Sequence, residues 1–235
     1  IKLSMLDVND KGELDMNQLE ELLKANTKSL VSLIHANNEI GNLNDLNHIG
    51  YLAKEYGAFF HSDTEQTMGH SVHDMKYLTV DSIVAGGHKF NGPKGSGFLY
   101  VKKDKKIHPL IHGGAQERNM RGGTENVIGI IGIAKALEIA YEDMAEHKIH
   151  VEAIKKYFIQ SLTQEIPSVE FNVISADLDK SLYTCPSVSL PPFEANRGML
   201  LFNLDLECVS TYGGSACISE DKVGSHALRA ITHTT

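Results

Sequence analysis

Asp81-Ser-Ile-Val-Ala-Gly-Gly-His-Lys89 is the stretch on which the reading of the fold turns. A short apolar run, Ser82 to Ala85, closes in two glycines and then delivers an imidazole and an amine side by side. Such a run, bounded by turn signals, suits a buried strand. Two runs upstream end in the same way. Ser29 to His35 leads into Ala36-Asn37-Asn38-Glu39, and Ala58 to His61 leads into Ser62-Asp63-Thr64-Glu65-Gln66. Between them, Asp45 to Tyr56 has helical spacing and Gly57 stands where a C-cap glycine is expected. Strand and helix alternating in this rhythm imply an α/β fold with a mainly parallel central sheet flanked by helices. In such sheets, polar residues just past the carboxyl ends of the strands line the ligand crevice. Three successive strand ends crowded with His, Asn, Asp, Gln and Lys are therefore the first functional indication.

Outward from this core the pattern changes. Leu3, Met5 and Val8 predict a short strand broken by Gly12, and Met16 to Lys24 predicts a helix with Asp15 as its N-cap. Val127 to about Gln164 reads as long helices, and short strands with proline-rich connections follow Pro167. The expected organisation is a large domain over 1–143 and a smaller C-terminal α+β domain over 144–235.

Composition narrows the class. The chain has 235 residues, 42% of them hydrophobic, enough for a sizeable core. A net charge of -8 and a pI near 5.8 argue against a nucleic-acid surface. The only dense basic run, Lys102, Lys103, Lys105 and Lys106, reads as a solvated turn. No apolar stretch approaches the ~20 residues that cross a bilayer, and the first residues do not read as a signal peptide. The expectation is a soluble cytoplasmic protein that binds neither membrane nor nucleic acid, with no metal. Three cysteines do not make a disulfide framework and fit a reducing compartment. Cys185 and Cys208 are expected to be small buried hydrophobes. Cys217 differs: Gly213-Gly-Ser-Ala precedes it and Ser219-Glu-Asp follows. That predicts a flexible, exposed loop from which a thiolate could travel.

Asp63, taken alone, reads as a cap or a core-edge hydrogen bonder, and most lysines are merely solvated. Lys89, however, follows His88 at a strand end and precedes Phe90-Asn-Gly-Pro-Lys-Gly-Ser-Gly97. A partly desolvated lysine is suited to Schiff-base chemistry. A pyridoxal phosphate site needs that amine and an acid that keeps the pyridine nitrogen protonated. Asp63 and Lys89 supply both from neighbouring strand ends. Lys94 competes for the role, but Gly-Pro-Lys-Gly suits an exposed turn better than a cofactor anchor.

Five motifs in order now resemble the cysteine desulfurases of the NifS/IscS type, in the class V aminotransferase family. They are His35-Ala-Asn-Asn-Glu-Ile-Gly41, His61-Ser-Asp-Thr-Glu-Gln66, Gly87-His-Lys-Phe-Asn-Gly-Pro-Lys-Gly95, Gln116-Glu-Arg-Asn-Met-Arg-Gly-Gly-Thr-Glu-Asn126 and Gly214-Ser-Ala-Cys217. The resemblance implies the type I fold of pyridoxal-phosphate-dependent transferases. It further implies that Lys89 holds pyridoxal 5'-phosphate, that Asp63 pairs with its pyridinium nitrogen, and that Gln66 bonds its phenolic oxygen. Asn38 would steady the same polar edge and His88 would contact the phosphate. Thr124 would reach the phosphate of a neighbouring subunit, making a homodimer. Cys217 would take sulfur from L-cysteine as a persulfide and pass it to a sulfur-acceptor scaffold protein. The near alternatives are selenocysteine lyase or another class V enzyme, or a non-catalytic scaffold in sulfur transfer.

The match has departures. Gly86 stands where the family places a phosphate-binding serine, and Gly122 replaces a second serine. The family's stacking histidine would lie before Ile1 and its substrate-carboxylate arginine after Thr235, so the expectation is a chain truncated at both ends.

Overall fold

The computed structural model describes residues 1–191, 199–211, 213 and 225–232. Contacts divide it into two compact units: Glu20–His35 with Asp45–Glu146, and Ile1–Leu19 with Ala36–Asn44 and His147–Thr235.

The first of these is built on one four-stranded sheet in the order β1-β2-β3-β4. Strands β1 (Leu30–Ile34), β2 (Phe59–Asp63) and β3 (Ser82–Gly86) run parallel. Strand β4 (Gly97–Val101) returns antiparallel to β3, Gly86 opposite Gly97. The parallel strands match the expectation closely, because their apolar runs are short and sharply bounded. The antiparallel β4 was not anticipated; it follows from the glycine-rich turn that reverses the chain after Phe90.

Helix α1 (Met16–Ala25) begins as its sequence suggests, with the Gln18 amide donating to Asp15 Oδ1 at 3.0 Å. Helix α2 (Leu46–Glu55) is capped by Asp45, whose carboxylate accepts from the amides of Asn47 and His48. It ends at Gly57, which has a φ of +67°. Its buried face, Leu46, Ile49, Gly50 and Ala53, packs on β2. Phe60, Val80, Ile83 and Phe90 fill the core of this unit at 2% exposure or less.

Beyond β3 the chain makes a single 3₁₀ turn, Gly87–Phe90, which buried Phe90 anchors to the core. A four-residue turn, α3 (Gln116–Asn119), holds Glu117, Arg118 and Asn119 at φ of 46°, 58° and 65°. Helix α4 (Val127–Glu142) docks its Gly132 and Ile133 against Pro93 and Gly87. Helix α5 (Met144–Glu165) follows. The other unit contributes the hairpin of β5 (Glu170–Phe171) and β6 (Val188–Ser189), then α6 (Leu200–Leu206) and α7 (His226–Thr232).

Two expectations need correction. The strand predicted around Leu3, Met5 and Val8 is absent: Leu3 and Met5 are exposed and Val8 makes one isolated bridge to Leu14. The physical reason is local. Asn9 Oδ1 accepts from the amides of Lys11 and Glu13, so the chain turns before any ladder can extend. Cys208, expected to be buried, is exposed just past α6, whereas Cys185 is partly buried. The basic run does form a turn, but Lys105 is tied to Asp81 at 3.3 Å.

Candidate active site

Asp63 closes β2, opposite Ile34 of β1 and Val84 of β3. The His35 amide donates to the Asp63 carbonyl at 2.7 Å, so the β1 and β2 tips are tied together. Asp63 Oδ1 then accepts from the Glu65 amide at 2.9 Å, while the Thr64 amide and hydroxyl both donate to the Val84 carbonyl. These bonds bend the chain back into a tight turn that carries Gln66. One strand over, the 3₁₀ turn after β3 carries His88 and Lys89, and a ring nitrogen of His70 donates to the Lys89 carbonyl at 3.2 Å. A carboxylate, an amide, an imidazole and an amine thus stand at the carboxyl tips of two adjacent parallel strands, the crevice position in sheets of this kind. The Lys89 side chain is exposed and makes no ion pair with a described residue, Asp63 included.

An open groove of about 530 Å³ adjoins these tips, lined by Glu65, Val84, Gly86, His88, Ser96 and Phe98 among others. Of the sequence-derived residues only His88 lines it; Asp63, Gln66 and Lys89 do not. Thr124 is exposed in the turn that precedes α4. Asn38 belongs to the other compact unit, where the Cys185 thiol lies 3.8 Å from its carbonyl. Cys217 lies outside the described residues.

Both replaced serines have a structural counterpart. A Cβ on Gly122 would stand 2.7 Å from the backbone of Gly113, so a side chain there would force two segments apart. A Cβ on Gly86 would stand 2.6 Å from Glu65 Oε1. Glu65 also faces His88, Oε1 to Nε2 at 3.4 Å. The sequence reading assigned no role to Glu65, although it lies inside a motif already singled out.

A buried polar cluster behind the tips was also missed. His35 Nδ1 lies 2.7 Å from Thr67 Oγ1 and 3.2 Å from His73 Nε2, which is itself 3.2 Å from Thr67 Oγ1. His73 Nδ1 donates to the Ser71 carbonyl at 2.9 Å, so its Nε2 is the accepting nitrogen. Burial, aided by the neighbouring His73 ring and opposed by Asp45, pushes the His35 pKa down to about 4. Burial also lowers that of His73, against the Ser71 hydrogen bond. Both rings are therefore neutral props for the turn that carries Gln66. The signal available in sequence was the histidine density from 61 to 73, which alone names no partner.

The parallel sheet with a carboxylate, an imidazole and an amine at its strand tips is the arrangement expected of the class V aminotransferase family, and comparison with known proteins shows that family. The class V aminotransferase model matches residues 1–230, and the chain belongs to that family. Family membership bears out the expected cofactor, pyridoxal phosphate. Within the family the likeness is to cysteine desulfurases of the NifS/IscS type. The chain is 40% identical over 230 residues to cysteine desulfurase IscS of Dictyoglomus turgidum, covering 98% of this chain and 57% of that protein. It is 37% identical over 229 residues to a putative cysteine desulfurase IscS 1 of Bacillus subtilis, covering 97% of this chain and 59% of that one. The crystal structure of a NifS-like protein from Rickettsia africae superposes with a TM-score of 0.84 at 31% identity, covering 97% of this chain and 59% of its own. The chain thus spans somewhat under two thirds of these relatives.

The residues present fit the cofactor chemically. The donor set supplies the amine, the acid and the imidazole that the ring, its nitrogen and its phosphate call for. Glu65 alone runs against the set, as a carboxylate beside His88, the residue that would hold the phosphate.

Proposed function

We propose that this chain is the greater part of a cysteine desulfurase that converts L-cysteine to L-alanine and keeps the sulfur on Cys217 as a persulfide. The observation that carries the reading is the placing of Asp63 and Lys89 at adjacent parallel strand tips in a class V aminotransferase chain. Pyridoxal phosphate, when bound, supplies an electron sink for the substrate's Cα. Lys89 anchors it and then moves the proton at the substrate Cα. Asp63 holds the pyridine nitrogen protonated, Gln66 and Asn38 bind the ring's polar edge, and His88 binds the phosphate. The Cys217 thiolate attacks the substrate sulfur, the carbon–sulfur bond breaks, and L-alanine leaves. The same reading places Thr124 at the cofactor phosphate of a second subunit in a homodimer. It assigns 1–143 to the cofactor-binding domain and 144–235 to the cysteine-bearing one. Delivery of sulfur to a scaffold protein, for iron–sulfur cluster assembly or thiolation in the cytoplasm, completes it. The relatives named as cysteine desulfurases favour this over selenocysteine lyase or a non-catalytic scaffold.

The test uses the full-length protein. Purified with added pyridoxal phosphate it should be yellow, and Lys89→Ala should remove the visible band. Incubation with cysteine should release sulfide under reductant, and Cys217→Ser should stop that release while the colour remains. A colourless wild type would end the enzyme reading; full sulfide release by the Cys217→Ser variant would end the assignment of the nucleophile.

A further inference from the structure

The Glu65 side chain holds the one place in the strand-tip groove where an acid is hardest to explain. Its backbone is fixed by the bond from its amide to Asp63 Oδ1, whereas its carboxylate pairs, among the described residues, with the His88 ring at 3.4 Å. That carboxylate stands over Gly86, with Oε1 and Oε2 at 2.6 and 3.0 Å from where a Cβ would be. Any side chain at 86 and the present Glu65 conformation therefore exclude each other. The pair faces solvent in the groove, with side-chain exposures of 45% for His88 and 30% for Glu65. Ser96, the groove's hydroxyl, already donates to the Pro93 carbonyl at 2.7 Å. His88 is thus the side-chain donor most open to an anion in this groove, and Glu65 is already beside it.

Building on the function proposed above, we infer that Glu65 competes with the cofactor phosphate for His88 and for the place over the Gly86 backbone, so that the phosphate must displace this carboxylate to seat. Glu65 then sets how tightly the cofactor is held, and it discriminates against the phosphorylated form relative to the bare pyridoxal ring. Like charges at close range repel, and the effect at a half-exposed site is screened by salt.

The experiment titrates the full-length apo-protein with pyridoxal phosphate and, separately, with pyridoxal, following the visible band or heat of binding. Glu65→Gln keeps the size of the side chain and removes its charge. The expected result is pyridoxal phosphate bound roughly tenfold tighter at low salt, a gain that shrinks as ionic strength rises, with pyridoxal affinity unchanged. Gly86→Ser, which forces the carboxylate away, should shift affinity in the same direction. If Glu65→Gln weakens pyridoxal phosphate binding, or changes both ligands equally, the competition does not exist and Glu65 merely orients His88 or the fold. If the wild type binds neither ligand, or the Lys89→Ala variant develops the same visible band as the wild type, the cofactor reading itself fails and this inference falls with it.

Discussion

At the scale of single residues, two bases held out of solvent, Lys155 and His35, give testable consequences for stability. Lys155 of α5 is 3% exposed, and its ammonium donates to Ser181 Oγ at 2.7 Å and to the Leu182 carbonyl at 3.0 Å. Burial lowers its pKa, opposed by Cys185, Asp177 and Glu152. Lys155→Met should cost about 2 kcal/mol in urea unfolding, because it strands two buried acceptors. His35 gives a pH dependence. Its folded pKa, about 4, lies below its ordinary 6.5, so the unfolded chain takes up the proton first. Stability is therefore intact above about pH 6.5 and falls as pH drops toward 4, by about 3 kcal/mol from this group. Denaturation midpoints at pH 7.5, 5.5 and 4 should show the loss, and His35→Gln should flatten it. The positions of Asp63, His88 and Lys89 at strand ends were legible in the sequence because short apolar runs that stop in polar residues mark the ends of parallel strands. The His35–Thr67–His73 cluster was not, since three residues up to 38 positions apart meet only through folding.

At the scale of elements, end caps and close approaches decide placement. Asn126 Oδ1 accepts from the Gly129 amide at 3.1 Å and starts α4. Asn126→Ala should destabilise by about 1 kcal/mol, read from thermal melting of the holo-protein. Because α4 packs on the 3₁₀ turn bearing Lys89, the same variant should also loosen cofactor binding. Gly50 in α2 faces the Thr79 carbonyl so closely that a methyl group has no room. Gly50→Ala should thus cost about 1–3 kcal/mol despite the better helix propensity of alanine. A rise in denaturation midpoint would show that α2 can shift off the Thr79 loop. The helices and parallel strands were legible from periodicity and caps. The N-terminal strand is absent because the Asn9 side chain turns the chain before a pairing ladder can extend.

At the scale of the whole molecule, α4 leaves much apolar surface uncovered among the described residues: Val127, Ile128 and Ile131 are 59%, 85% and 65% exposed. Exposed apolar patches of this kind drive association. The 235-residue chain expressed alone should self-associate in sedimentation, and Ile128→Glu with Ile131→Glu should reduce it with little change in melting temperature. Failure of that pair to alter association would place the contact elsewhere.

Short-range information in the chain was enough to name the α/β class, its parallel strands and the amine–acid pair at their tips. Those features depend on residues within a few positions of one another, and on the rule that puts polar crevices at strand ends. The histidine cluster, the buried Lys155 and the carboxylate seated over Gly86 were decided only by tertiary structure. Each joins residues that sequence separates, and each depends on whether a neighbour has a side chain to give or, as at Gly86, none.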